Sequence, residues 1–186
     1  MAIYVALGAN QAAQYRGETV TPAETFLLAV ERLQQFGVDV LKTSNLWQSP
    51  AWPDPDVQPP YINAVIAVET KLEPHALLAL LKKTEAAFGR VAAKRNAPRP
   101  LDLDILDYHG QVINYDGRTM RKGETLTLPH PRMLSRPFVL MPLAEIAPNW
   151  RDPVIKRAIT EWAARLALED VVPMKRLGAL LVPSTK

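Results

Sequence analysis

Residues 95–106 read RNAPRPLDLDIL. Arg95 and Arg99 lie among prolines, and a strict alternation follows: Leu101, Leu103 and Ile105 against Asp102 and Asp104. Successive side chains leave a β-strand on opposite faces, so this period of two predicts a half-buried strand. The apolar residues share one face and the carboxylates the other, roughly 6.5–7 Å apart along the chain. Aspartate is a poor strand former, so two in one short strand run against propensity. The plain reading is a solvated outer face. The sharper one is a place where paired carboxylates hold cations and the two arginines grip phosphate, which a guanidinium fork matches.

The rest of the chain supplies neighbours for this strand. IYVALGA (3–9) reads as a buried strand ending at Gly8. Thr21-Pro22-Ala23-Glu24 is a helix start, with Thr21 as N-cap, Pro22 at the first helical position and Glu24 closing the capping box. Phe26, Leu27, Val30 and Leu33 then recur at helical spacing until Gly37. VDVLKTSNLWQS (38–49) is a second strand, and YINAVIAVET (61–70) a third. Between them, residues 50–60 hold five prolines and form an irregular loop. Pro74 opens a second helix whose stripe is Leu78, Leu81 and Phe88, with Gly89 as its stop. Glu85 lies on that stripe, where a carboxylate needs a partner such as an arginine. A helix is expected over 138–147 and a last one from Asp152-Pro153 through Trp162; the tail from Asp170 has no assignment. The order β-α-β-β-α-β predicts an α+β fold: a ferredoxin-like antiparallel sheet with helices on one face and additional C-terminal helices. Such a frame hosts many functions.

The chain has 186 residues, 48% of them hydrophobic and 22% charged, which suits one globular domain over 1–186, its extension from about 151 having no assigned role. A net charge of +3 and a pI near 9.2 lean mildly toward anionic partners. There is no cysteine, so disulfides, thiol catalysis and cysteine metal sites are excluded. The three histidines show no HExxH spacing, and no GxxxxGK[ST] loop occurs. No apolar run would span a bilayer, and no basic segment precedes the first apolar run, so neither a membrane nor a signal peptide is expected.

RNAPRPLDLDIL resembles the signature of the 6-hydroxymethyl-7,8-dihydropterin pyrophosphokinase family of folate biosynthesis: an arginine, a short loop, then Pro-Arg-x-Leu-Asp-x-Asp. ALGAN, PPYINAVIAVET and LTLPHPRMLSRPFVLMPLAEIAP resemble its other motifs, in family order from about residue 3 to 150. The resemblance implies transfer of pyrophosphate from ATP, the co-substrate, to the pterin hydroxymethyl group, giving AMP. It makes Asp102 and Asp104 ligands of two Mg²⁺ ions, and Arg95 and Arg99 loop arginines that grip phosphate. It places His130 and Arg136 on further ATP phosphates, and Thr127 and Ile105 on the adenosine side. Asn63 would bond the pterin edge, Tyr61 and Phe138 would sandwich its ring, Gly8 would allow close approach, and Trp52 lies in the pterin-side loop. It also implies a cytoplasmic monomer with no nucleic-acid or membrane partner. The sequence departs from the family at Asn96-Ala97, where Trp-Gly is common, at Ala92 and Thr125, where arginines are common, and at Lys82, where a glutamine often contacts ATP. Two other readings stay open: a D-x-D nucleotidyltransferase, which would release pyrophosphate, and an RNA-binding module on the same frame.

Overall fold

The computed structural model describes residues 2–52, 55–91, 97–115 and 126–181. The elements in chain order are strands β1 (Ile3–Ala9), β2 (Ala13–Tyr15) and β3 (Glu18–Val20), helix α1 (Pro22–Gln35), strands β4 (Val38–Thr43), β5 (Asn45–Ser49) and β6 (Tyr61–Thr70), and helix α2 (Pro74–Ala87). Strand β7 (Asp102–Tyr108), helices α3 (Pro137–Ile146), α4 (Ile159–Ala163) and α5 (Leu168–Val171), and strand β8 (Lys175–Ala179) complete the chain. The main sheet is ordered β7-β1-β6-β5-β8, with β4 also on β6, and every pairing is antiparallel.

Local signals act as read. Thr21 and Glu24 form a reciprocal capping box at the start of α1. Gly37 and Gly89 take φ of +76° and +84° just past α1 and α2, a conformation with no penalty for glycine. Tyr15, on the small β2–β3 hairpin, stacks on Phe88 with ring centroids 4.2 Å apart.

Three expectations are corrected. The 38–49 segment is two strands on one partner. Ser44 interrupts them, its Oγ accepting from Val65 N at 2.9 Å, while Asn45 N donates to Glu145 of α3 at 2.9 Å. Helices cover both faces of the sheet rather than one. Ile3, Val5, Leu7, Ala64, Ile66, Leu103 and Ile105 pack against α1 and α2, whereas Val65, Ala67 and Leu106 pack against Val139, Leu140 and Leu143 of α3. Alternation made this possible: β6 is buried on both faces from Asn63 to Val68. Finally, Asp152 does not open a long helix. Its Oδ1 accepts from Val154 N and Ile155 N, Lys156 follows at φ +60°, and only 159–163 is helical. The tail supplies β8, tied down by Arg176 to Glu145 at 3.0 Å and by Thr43 Oγ1 to Leu180 O at 3.0 Å.

Candidate functional site

Pairing register brings the chemistry together. Gly8 faces Asp102 on one side and Asn63 on the other, and Asn63 faces Trp47, so Asp102, Gly8, Asn63 and Trp47 form one row across four strands. Asp104 lies one row away, opposite Ala6. These residues belong to the face that α3 covers further along, at Val65, Ala67 and Leu106. Gly8 leaves the floor between Asp102 and Asn63 without a side chain. Two strand spacings, about 9.5 Å, separate the carboxylate from the amide.

The two aspartates differ in their surroundings. Asp102 has both oxygens occupied: Arg90 Nη1 at 2.5 Å on Oδ1 and Arg99 Nη1 at 2.9 Å on Oδ2. Burial pushes its carboxyl up, but Arg99, Arg90 and Lys82 outweigh this and hold it below the usual carboxylate range. Among the described residues, Asp104 has cationic groups only at arm's length, Lys82 Nζ 3.8 Å from Oδ1 and His130 Nε2 3.8 Å from Oδ2. Their side chains keep 26% and 31% exposure, so both can meet a ligand. Burial lowers the His130 pKa against the pull of Asp104. His130 Nδ1 accepts from Arg132 N, which assigns the proton of the neutral ring to Nε2, toward Asp104.

Glu85 has the partner its position demanded. It is 2% exposed, and its Oε1 accepts from Leu103 N at 2.6 Å, Lys82 Nζ at 2.9 Å and Arg90 Nη1 at 2.5 Å. The same Arg90 nitrogen therefore joins Glu85 to Asp102. Burial raises the Glu85 pKa, and Lys82 and Arg90 oppose it.

The remaining candidates fall in several places. Arg99 is fixed by its backbone, with N donating to Asn10 Oδ1 at 2.8 Å and its carbonyl accepting from Asn10 N at 3.1 Å. Arg99 also stands beside Tyr61, whose hydroxyl burial pushes up. Asn63, 4% exposed, donates from Nδ2 to Ser49 Oγ at 3.0 Å, and its Oδ1 lies toward Gly8. Phe138 packs on the α3 side of the sheet with the Arg136 guanidinium 5.5 Å from its ring centre. Arg136 is itself close enough to Asp104 and Asp102 to feel their charge. Thr127 Oγ1 is buried without a hydrogen-bond partner among the described residues. Trp52 is 73% exposed. The Ile105 side chain is 3% exposed and faces the α1–α2 core, so only its main chain, on the outer strand of the sheet, can meet a ligand. Arg95, with Ala92, Lys94, Asn96 and Thr125, lies outside the described residues.

Sequence reading missed Arg90 and Asn10 as members of this cluster. Arg90 follows the glycine that stops α2, and the buried Glu85 one turn earlier was the signal that a cation had to lie within reach. Asn10 is 2% exposed right after β1, and a buried amide in a loop has to serve a neighbouring backbone.

Carboxylates on an open sheet face, ringed by guanidinium groups, can hold a divalent cation and an anionic ligand together. Residues 4–148 match the model of the family described as 7,8-dihydro-6-hydroxymethylpterin-pyrophosphokinase (HPPK), and the chain belongs to that family. A 2-amino-4-hydroxy-6-hydroxymethyldihydropteridine pyrophosphokinase of Haemophilus influenzae is 38% identical over 144 residues, 77% of this chain and 80% of that protein. The folic acid synthesis protein of Pneumocystis carinii is 36% identical over 174 residues, 93% of this chain but 21% of its own length. In fold, the chain is similar to a Plasmodium falciparum HPPK-DHPS crystal structure, with a TM-score of 0.66 at 15% identity, over 95% of this chain and 47% of that one.

Proposed function

We propose that this chain transfers pyrophosphate from ATP to 6-hydroxymethyl-7,8-dihydropterin, giving AMP and the pterin pyrophosphate, as a single-domain cytoplasmic enzyme of folate synthesis. Its β-α-β-β-α-β frame is read as ferredoxin-like. Beyond family membership, the observation that carries the proposal is the Asp102–Gly8–Asn63 row. It sets a carboxylate with two arginines at one end, an amide at the other, and a floor without a side chain between them.

Mg²⁺ binds through one or two carboxylates plus substrate phosphates, and this donor set fits. Asp104, with no cationic group of the described residues nearer than 3.8 Å, is the readier ligand, and Asp102 the second. Two ions bound there would neutralise the triphosphate and orient it in line with the attacking hydroxyl. The protein's own groups do the rest. Arg90 and Arg99 are held at Asp102, so they are placed to turn from carboxylate to phosphate as charge develops on the transferred group. Asn63 offers an amide edge to a flat heterocycle lying over Gly8, and Tyr61 and Phe138 supply apolar ring faces. His130, with its Nε2 proton toward Asp104, acts as a donor to anionic oxygen rather than as a base. The orphaned Thr127 hydroxyl suits an adenosine contact.

Incubation with ATP, Mg²⁺ and the dihydropterin, followed by nucleotide chromatography, tests the reading. AMP equal in amount to pterin product is expected. ADP would make the protein a simple kinase, and released pyrophosphate a nucleotidyltransferase; either overturns the proposal.

A further inference from the structure

Lys82 is an unusual lysine. Its ammonium is not free to swing in water: Nζ donates to the Oε1 of the buried Glu85 at 2.9 Å and to the carbonyl of Leu103 at 3.1 Å. Those two acceptors belong to α2 and β7, so both elements hold it. Leu103 lies between the two aspartates, and the fixed charge ends up 3.8 Å from Asp104 Oδ1. That separation is beyond hydrogen-bond reach, so the charge is felt while the oxygen's lone pairs stay open. On the other side of Asp104, His130 is an imidazole rather than a permanent cation.

We infer that Lys82 is a tethered counter-charge to Asp104 that weakens divalent-cation binding there and so sets the metal concentration at which the site fills. The inference rests on the metal-holding reading of Asp104 given above. A lysine that merely shared a surface pair would move aside at little cost. This one loses two acceptors if it moves. A divalent ion at an ordinary bonding distance of about 2.1 Å from Asp104 Oδ1 would be no more than about 6 Å from Nζ. Even at a water-like dielectric constant the repulsion, reduced by salt, corresponds to about a threefold to tenfold loss of affinity. The Lys82 side chain keeps 44% exposure, which is why the water-like limit is the right one to use.

The test compares wild-type protein with Lys82→Gln, Lys82→Met and Lys82→Arg. Mn²⁺ binding is followed by electron paramagnetic resonance in the presence of a non-cleavable ATP analogue, and the Mg²⁺ concentration for half-maximal turnover is measured in parallel. Both neutral variants should bind Mn²⁺ about threefold to tenfold more tightly, and Lys82→Arg should stay within about twofold of wild type. Glu85 keeps Arg90 and Leu103 N in every variant, and near-ultraviolet circular dichroism checks that the fold survives. Wild-type binding with unchanged or weaker affinity in both neutral variants would overturn the role of Lys82 alone. If wild-type protein with the nucleotide binds no Mn²⁺, the carboxylate-pair reading falls with it.

Discussion

Glu85→Ala should destabilise the protein by about 3 kcal/mol. The Leu103 N–H it leaves behind is buried in the strand that carries both aspartates, and a buried donor stranded without its acceptor costs about 1–3 kcal/mol. Arg90 loses one of two carboxylates, and its side chain is 28% exposed, so it retains Asp102 and some water and adds about 1 kcal/mol. Lys82, 44% exposed, keeps the Leu103 carbonyl, meets water in place of Glu85 and adds little. Glu85→Gln keeps an oxygen for Leu103 N, so it should cost about half as much. Burial raises the Glu85 pKa, so ionising this carboxyl is harder in the folded protein than in the unfolded chain. The sign follows: the contribution of Glu85 relative to glutamine is fully present below the ordinary glutamate pKa and is lost as pH rises through the folded-state value. Urea unfolding measures this. With a slope of about 2 kcal/mol/M, Glu85→Ala should move the midpoint down by about 1.5 M. A shift under about 0.5 M with an unchanged slope would mean that this oxygen does not hold α2 to β7.

Asp102→Asn and Asp104→Asn should each slow turnover by on the order of 10³-fold, read by steady-state assay. Only Asp102→Asn should also lower stability, by about 1–3 kcal/mol in urea, because it leaves Arg90 and Arg99 facing a neutral amide. Asn63→Ala should weaken pterin binding more than ATP binding in separate fluorescence titrations; an equal loss would break the division of the site along the Gly8 row. Thr21→Ala should cost about 1 kcal/mol in thermal unfolding through loss of the α1 cap. Hydrogen bonds from Thr21 hold Glu24 below its ordinary pKa, so the capping interaction is present above that ordinary value and is lost as pH falls through the lowered one.

Some of this molecule was legible in the linear chain because the forces involved are local. The period of two over 101–105, the cap at Thr21 and the helix stops at Gly37 and Gly89 depend on near neighbours alone, and each acts as read. The shared face of Asp102 and Asp104 follows from strand geometry in the same way. Glu85 was recognisable as needing a partner because an apolar helical stripe cannot leave a carboxylate bare. The helix from Asp152 starts as read, its side chain capping Val154 N and Ile155 N, but it ends after one turn, where Lys156 takes φ +60° and the chain folds back to pair Arg151 with Ala158.

What the linear chain left open depends on residues far apart in it. Whether the second face of the sheet would be solvated or covered was settled by α3, whose Leu140 and Leu143 reach Val65 and Leu106 across it. The place of β8 depends on its pairing with β5, and on Glu145 of α3 meeting Arg176. Arg90 joins the carboxylates only because Glu85, on the preceding helix, fastens α2 beside β7. Periodicity and capping are written in neighbouring residues. Sheet partners and buried ion pairs are chosen by which distant groups lose their water together, and only the folded chain decides that.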